Sequence, residues 1–147
     1  ESRVRLLKSM VEPDLGATKL DDANVVVAVG MGVGGPENLP VIRDLVDVMD
    51  GALASTLRVA TAGWLAPQLL LGLTGKAVAP RFYIAVGVSG AANHLTGSRN
   101  AERIIAINSN AEAPIFKSAD IGVVGDWAAI VPALTRALKE IKVAAGI

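Results

Sequence analysis

The sequence predicts an α/β domain, an open parallel sheet with helices on both faces. Short apolar runs at residues 25–29, 82–86, 104–107 and 121–124 are continuous rather than alternating, as strands covered on both faces require. Small or polar residues follow each run, and apolar residues at helical spacing follow the first and the last. Strand and helix therefore alternate, the order that builds a parallel sheet and places ligands beyond the C-terminal strand ends.

In chain order, residues 1–22 read as a lead-in from a missing N-terminal domain, with a polar, strand-like start at residues 3–7 and Pro13 and Gly16 interrupting any periodicity. Residues 23–147 form the domain. Its first strand, residues 25–29, runs into the glycine turn 30–35 and a helix near residues 37–49. Val41, Leu45, Val48 and Met49 mark the buried face of that helix, and Gly51 is its expected terminator. A second strand follows Asp50. The strand at 82–86 leads into Gly87–Gly90 and a short helix, and the strand at 104–107 ends on Asn108. The last strand is followed by Gly125 and by Asp126, a cap for a helix at residues 127–143. Ile130, Leu134, Leu138 and Ile141 form the stripe of that helix, and Pro132 allows it a later start.

Composition narrows the chemistry. With 147 residues and 52% hydrophobic content, one core is easily filled. Lys plus Arg (14) balances Asp plus Glu (14), so no field exists to gather nucleic acid. The absence of cysteine removes disulfides and thiolate chemistry, and a single histidine rules out a His-rich metal site. Charges interrupt the opening residues, and the leucine cluster 69–73 is short and broken by Gly72. Neither a signal peptide nor a membrane span is therefore expected. Nothing in these residues directs export.

Several motifs sit at the predicted ligand edge. Gly30, Gly32 and Gly35 satisfy the dinucleotide pattern between a strand and a helix, with Asp50 twenty residues on. Asp50, however, precedes the second strand rather than ending it, and Glu37 would repel a pyrophosphate at the helix start. The segment Gly72-Leu73-Thr74-Gly75-Lys76 departs from a phosphate loop, since Leu70 replaces the first glycine and Ala77 the magnesium-binding hydroxyl. Residues 87–94 are small enough to admit a ligand, and Ser89 with the following amides suits a phosphate. His94 reads either as a hydrogen-bonded structural residue or as a donor to a ligand carbonyl. Asp126 reads either as a helix cap or as a ribose or adenine contact.

The order of Gly63-Trp64, Gly72, Thr74-Gly75-Lys76, residues 83–91, His94, Ala106-Ile107-Asn108 and Ala113-Pro114-Ile115-Phe116 resembles the alpha subunit of electron-transfer flavoproteins. The resemblance spans about residues 24–140 and is most specific from Gly75 to Asp126. It implies a Rossmann-like domain that binds FAD beside a beta subunit and carries electrons from a dehydrogenase to a redox acceptor. It further implies FAD contacts from Gly72, Thr74, Ser89, Gly90, Ala91, Ala92, Asn93, His94, Asn108, Asp126 and Trp127, with His94 beside the flavin's pyrimidine carbonyl.

This chain departs from the family at three points. Met31 stands where an arginine is common in the glycine turn, Thr56-Leu57 where a Ser-Arg pair is common, and Leu73 where a glutamine is common. Arg58 lies one position past the expected arginine, an offset that in an extended segment turns it to the other face. The missing charges imply a lower flavin reduction potential. They also keep open a nonredox nucleotide-binding or assembly module, while the glycine pattern keeps open an NAD-dependent dehydrogenase domain.

Overall fold

The computed structural model describes residues 20, 22–71, 79–90, 98 and 100–146. The strand-like start at 3–7, the segment 72–78 and most of the short helix expected after Gly90 lie outside the described residues. Five strands, β1 (Val25–Val29), β2 (Ala52–Ser55), β3 (Phe82–Val86), β4 (Arg103–Asn108) and β5 (Ile121–Val124), form one sheet in the order β2-β1-β3-β4-β5. Every pairing is parallel, so the expected α/β class and open parallel sheet are borne out. The described α-helices are α1 (Leu39–Val48), α2 (Leu57–Thr61) and α3 (Trp127–Ala145).

The core lies on both sides of the central strands. Val26 to Val29 of β1 and Tyr83 to Val86 of β3 are all buried, and successive strand residues point to opposite faces, so both faces are covered. Tyr83 is fully buried and hydrogen-bonded to Ser98; burial pushes its phenol far above the usual range, which keeps it protonated. Helices α1 and α3 pack side by side on one face. β5 differs from the other apolar runs. It is an outer strand, and Ile121 and Val124 are each 57% exposed.

The ends of the helices refine several expectations. α1 starts at Leu39, after a single-turn helix over Pro36–Asn38; Leu45 and Val48 are buried as expected, together with Leu39, Ile42 and Val46, while Val41 and Met49 are partly buried against the core. Its left-handed terminator is Asp50, at φ 50°, and not Gly51. The amide of Gly51 reaches back to Val46 O at 2.9 Å and that of Asp50 to Asp47 O at 3.2 Å, the paired closure of a helix C-terminus. Glycine is still required at 51, because a Cβ there would lie 2.8 Å from Val25 O.

In α3 the Asp126 carboxylate accepts from Ala128 N at 3.0 Å, and the helix starts at Trp127 with Pro132 inside it rather than at its start. Val131 and Thr135 are buried, and Ile130, Leu134 and Leu138 pack partly on the core, but Ile141 is 61% exposed. At about 1.5 Å per residue a helix this long outruns the sheet beneath it.

Candidate functional site

The strand order reverses between β1 and β3: the chain passes outward from β1 to β2, then returns to β3 and continues through β4 to β5. Such a switch point, at the C-terminal strand ends, is where open α/β sheets bind ligands. Here the loops leaving β1 and β3 are pressed together. Gly30 N donates to Val86 O at 2.9 Å and Gly32 N to Gly87 O at 3.0 Å. A Cβ on Gly30 would lie 2.3 Å from Gly87 O, and one on Gly32 would lie 2.8 Å from Gly87 Cα. The amides of Val33 and Gly34 close onto Gly30 O and Met31 O. The glycine pattern therefore serves loop-to-loop packing, and these amides are not available to a pyrophosphate. Asp50 stands at the opposite edge of the sheet, before β2. Neither part of the NAD fingerprint is in place.

The rim beyond β3, β4 and β5 gathers the described members of the predicted site. The Asn108 side-chain amide donates to Val88 O at 2.9 Å, and its oxygen accepts from Asn110 N at 2.9 Å. Ile115 N donates to Ser89 O at 2.8 Å. Gly90, at φ 93°, lies so close to the Pro114–Lys117 turn that a Cβ would meet Ile115 N at 2.5 Å. The segment 88–90 is thereby held from both sides, with the Ser89 side chain exposed. Gly125 N bonds Asn108 O at 3.0 Å and brings the capping Asp126 and the half-buried Trp127 to the same rim. Gly72, Thr74, Ala91, Ala92, Asn93 and His94 lie outside the described residues.

The rim beyond β1 and β2 has a different character. Val29 pairs with Ser55, and two residues past this pair Met31 is 41% and Leu57 47% exposed. Thr56 caps α2 through Val59 N at 3.5 Å. The segment after Thr56 is thus helical rather than extended, which corrects the reading of Arg58. At 3.6 residues per turn its side chain is rotated about 100° from that of Leu57, not turned to the opposite face. Ser55, which sequence reasoning did not single out, is fully buried with no partner for its hydroxyl. No residue-type signal marks it; only burial reveals it. Leu69, Leu70 and Leu71 belong to the protein interior.

Among the described residues no group of His, Cys, Asp or Glu could hold a metal ion, and no helix is long and apolar enough to cross a membrane. One rim presents the exposed Ser89 hydroxyl and the Asp126 carboxylate on loops held by the Asn108 carboxamide, and the other presents an apolar pair. This arrangement suits a nucleotide that carries a flat ring, and it fits FAD.

The fold is an open parallel α/β domain of the Rossmann-like kind. Residues 19–99 match the family model described as the electron transfer flavoprotein FAD-binding domain. The chain belongs to this family as an electron transfer flavoprotein alpha chain. It is 40% identical over 143 residues to the electron transfer flavoprotein subunit alpha of Thermoanaerobacterium thermosaccharolyticum, covering 97% of this chain and 43% of that protein. It is 44% identical over 124 residues to the mitochondrial subunit alpha of Dictyostelium discoideum, covering 84% and 35%. Protein FixB of Azorhizobium caulinodans is 38% identical over 135 residues, covering 92% and 37%. The chain thus spans less than half the length of these relatives. In fold it is similar to a Mycobacterium smegmatis protein described as a thiamin diphosphate-dependent enzyme. The TM-score is 0.52 at 9% identity, over 86% of this chain and 27% of that one.

Proposed function

We propose that this chain holds FAD at the C-terminal rim of its sheet and carries electrons between a dehydrogenase and a redox acceptor, in assembly with an electron transfer flavoprotein beta subunit. The observation that carries this reading is the family match over residues 19–99, on a sheet whose rim gathers Ser89, Asn108 and Asp126. FAD supplies the redox chemistry, and the protein supplies position and electrostatics. In this reading Ser89 with the segment 90–94 holds phosphate, Asp126 and Trp127 lie along the ribose and adenine, and Asn108 fixes the loop they share. Gly72, Thr74 and His94 complete the set, with His94 at the flavin's pyrimidine edge. Residues 23–147 are the FAD-binding unit, residues 1–22 lead into it, and the compartment is the cytoplasm or, in a eukaryote, the mitochondrial matrix.

One observation favours a nonredox nucleotide-binding or assembly role instead, namely that Met31 and Leu57 stand on this rim at positions where the family commonly carries arginine. The visible spectrum of the purified protein, alone and with a beta subunit, separates the two. Flavin bands that bleach on photoreduction are the expected result. A colourless complex that binds ADP but never FAD would move the assignment to the assembly role.

A further inference from the structure

Met31 is the one sulfur-bearing side chain at the ligand rim among the described residues. The chain has no cysteine and three methionines. Met49 closes α1 at the opposite edge of the sheet, half-buried against the core, and Met10 lies outside the described residues. Met31 leaves β1 at the switch point and is 41% exposed. Its backbone has no room to withdraw, because Gly30 N and Gly32 N on either side are bonded to Val86 O and Gly87 O, and its own carbonyl accepts from Gly34 N at 3.0 Å. The thioether is therefore held out at the rim, on the same apolar half as the exposed Leu57. A thioether is apolar and polarisable and suits contact with an aromatic ring, whereas its sulfoxide is polar.

Resting on the FAD reading above, we infer that Met31 is a site of reversible oxidation, at which hydrogen peroxide converts the thioether to the sulfoxide and loosens the hold of this rim on the flavin ring. One oxygen atom passes from peroxide to sulfur; the sulfur gives up two electrons and the peroxide leaves as water. A methionine sulfoxide reductase restores the thioether with two electrons from a dithiol, and the oxygen leaves as water. The oxidant belongs to the chemistry of the cofactor, since a reduced flavin that passes two electrons and two protons to dioxygen yields hydrogen peroxide.

The test treats the protein, with and without a beta subunit, with dilute hydrogen peroxide and follows each methionine by peptide mass spectrometry. Met31 is expected to oxidise about tenfold faster than Met49, because susceptibility follows exposure. Saturating FAD should slow oxidation of Met31 about fivefold by covering it, whereas ADP, which has the adenosine and pyrophosphate but not the ring, should leave the rate within about twofold. The sulfoxide form should bind FAD about tenfold more weakly and ADP within about twofold of the untreated protein, and the reductase should restore FAD binding. Met31→Leu keeps an apolar side chain without the sulfur, so its FAD affinity after peroxide should equal its own before. Oxidation of Met31 no faster than Met49, an FAD affinity unchanged by oxidation, or equal losses of FAD and ADP overturns the inference while leaving the FAD assignment standing. Loss of FAD from peroxide-treated Met31→Leu also overturns it, by placing the sensitive group elsewhere. A circular dichroism signal lost on oxidation does the same, since the effect is then on folding. A wild-type protein that binds no FAD in either preparation overturns the functional reading and this inference together.

Discussion

Gly90 shows how one missing methyl group can shape the rim. Its φ of 93° is a conformation that side chains disfavour, and the space a Cβ needs is filled by the backbone of Ile115. Gly90→Ala should therefore lower stability by about 2 kcal/mol or more, read as an earlier denaturant midpoint at unchanged slope. Asp126 has a test of another kind, because its carboxylate already accepts from Ala128 N. Asp126→Ala should cost about 1 kcal/mol through loss of the cap, whereas Asp126→Asn keeps it. If Asp126 also meets the nucleotide, Asp126→Asn will weaken ADP binding at unchanged melting temperature; equal ADP affinity leaves it as a cap alone. Sequence patterns pointed to Asn108, Asp126 and Gly90, and to the helix cap that Asp126 makes, but not to the bonds of Asn108 or the close contact of Gly90 inside the protein. A residue type announces hydrogen-bonding capacity, and only the fold shows how much of it is spent.

Elements were legible where side-chain pattern and packing agree. β1, β3 and β5 occupy the residues their valine- and isoleucine-rich runs indicate, and β4 is longer by one residue at each end. β2 was implied but unplaced, because Ala-Leu-Ala-Ser has no β-branched residue and takes its conformation from pairing with β1. The buried face of α1 was legible at Leu45 and Val48, but its start was misplaced, because the helix begins only after the turn at Pro36–Asn38. The offset of Arg58 was misjudged for the same reason, since Thr56 starts a helix where an extended chain had been expected. Pro132 offers a test at this scale. Inside α3 it lacks the amide that would bond Ala128 O, so Pro132→Ala should raise stability by about 1 kcal/mol or more. Thermal unfolding checks this; a lower melting temperature would mean that ring packing outweighs the hydrogen bond.

At the scale of the molecule, strand order locates the ligand edge and residue chemistry divides it into a polar and an apolar half. The order β2-β1-β3-β4-β5 cannot be read from periodicity, since each strand reports its burial but not its neighbour. The candidate site was read from the ordered motifs between Gly75 and Asp126, of which Gly72, Thr74 and residues 91–94 lie outside the described residues. Binding that favours the folded state must raise its stability. FAD at a hundred times its dissociation constant should add about 2.7 kcal/mol, or about 5–10 °C for a domain of this size. NAD at the same concentration should leave the melting curve unmoved, and a matching shift would return the dehydrogenase reading.

The contact of Gly30 and Gly32 with Gly87 also limits redesign. Grafting nicotinamide specificity onto a parallel sheet ordinarily means editing an acid beyond β2 and trusting the glycine loop to receive the pyrophosphate. In this protein that berth is occupied by the neighbouring loop, so such edits would leave the new cofactor without a seat. An engineer would first have to part the loops leaving β1 and β3, and with them two halves of the sheet.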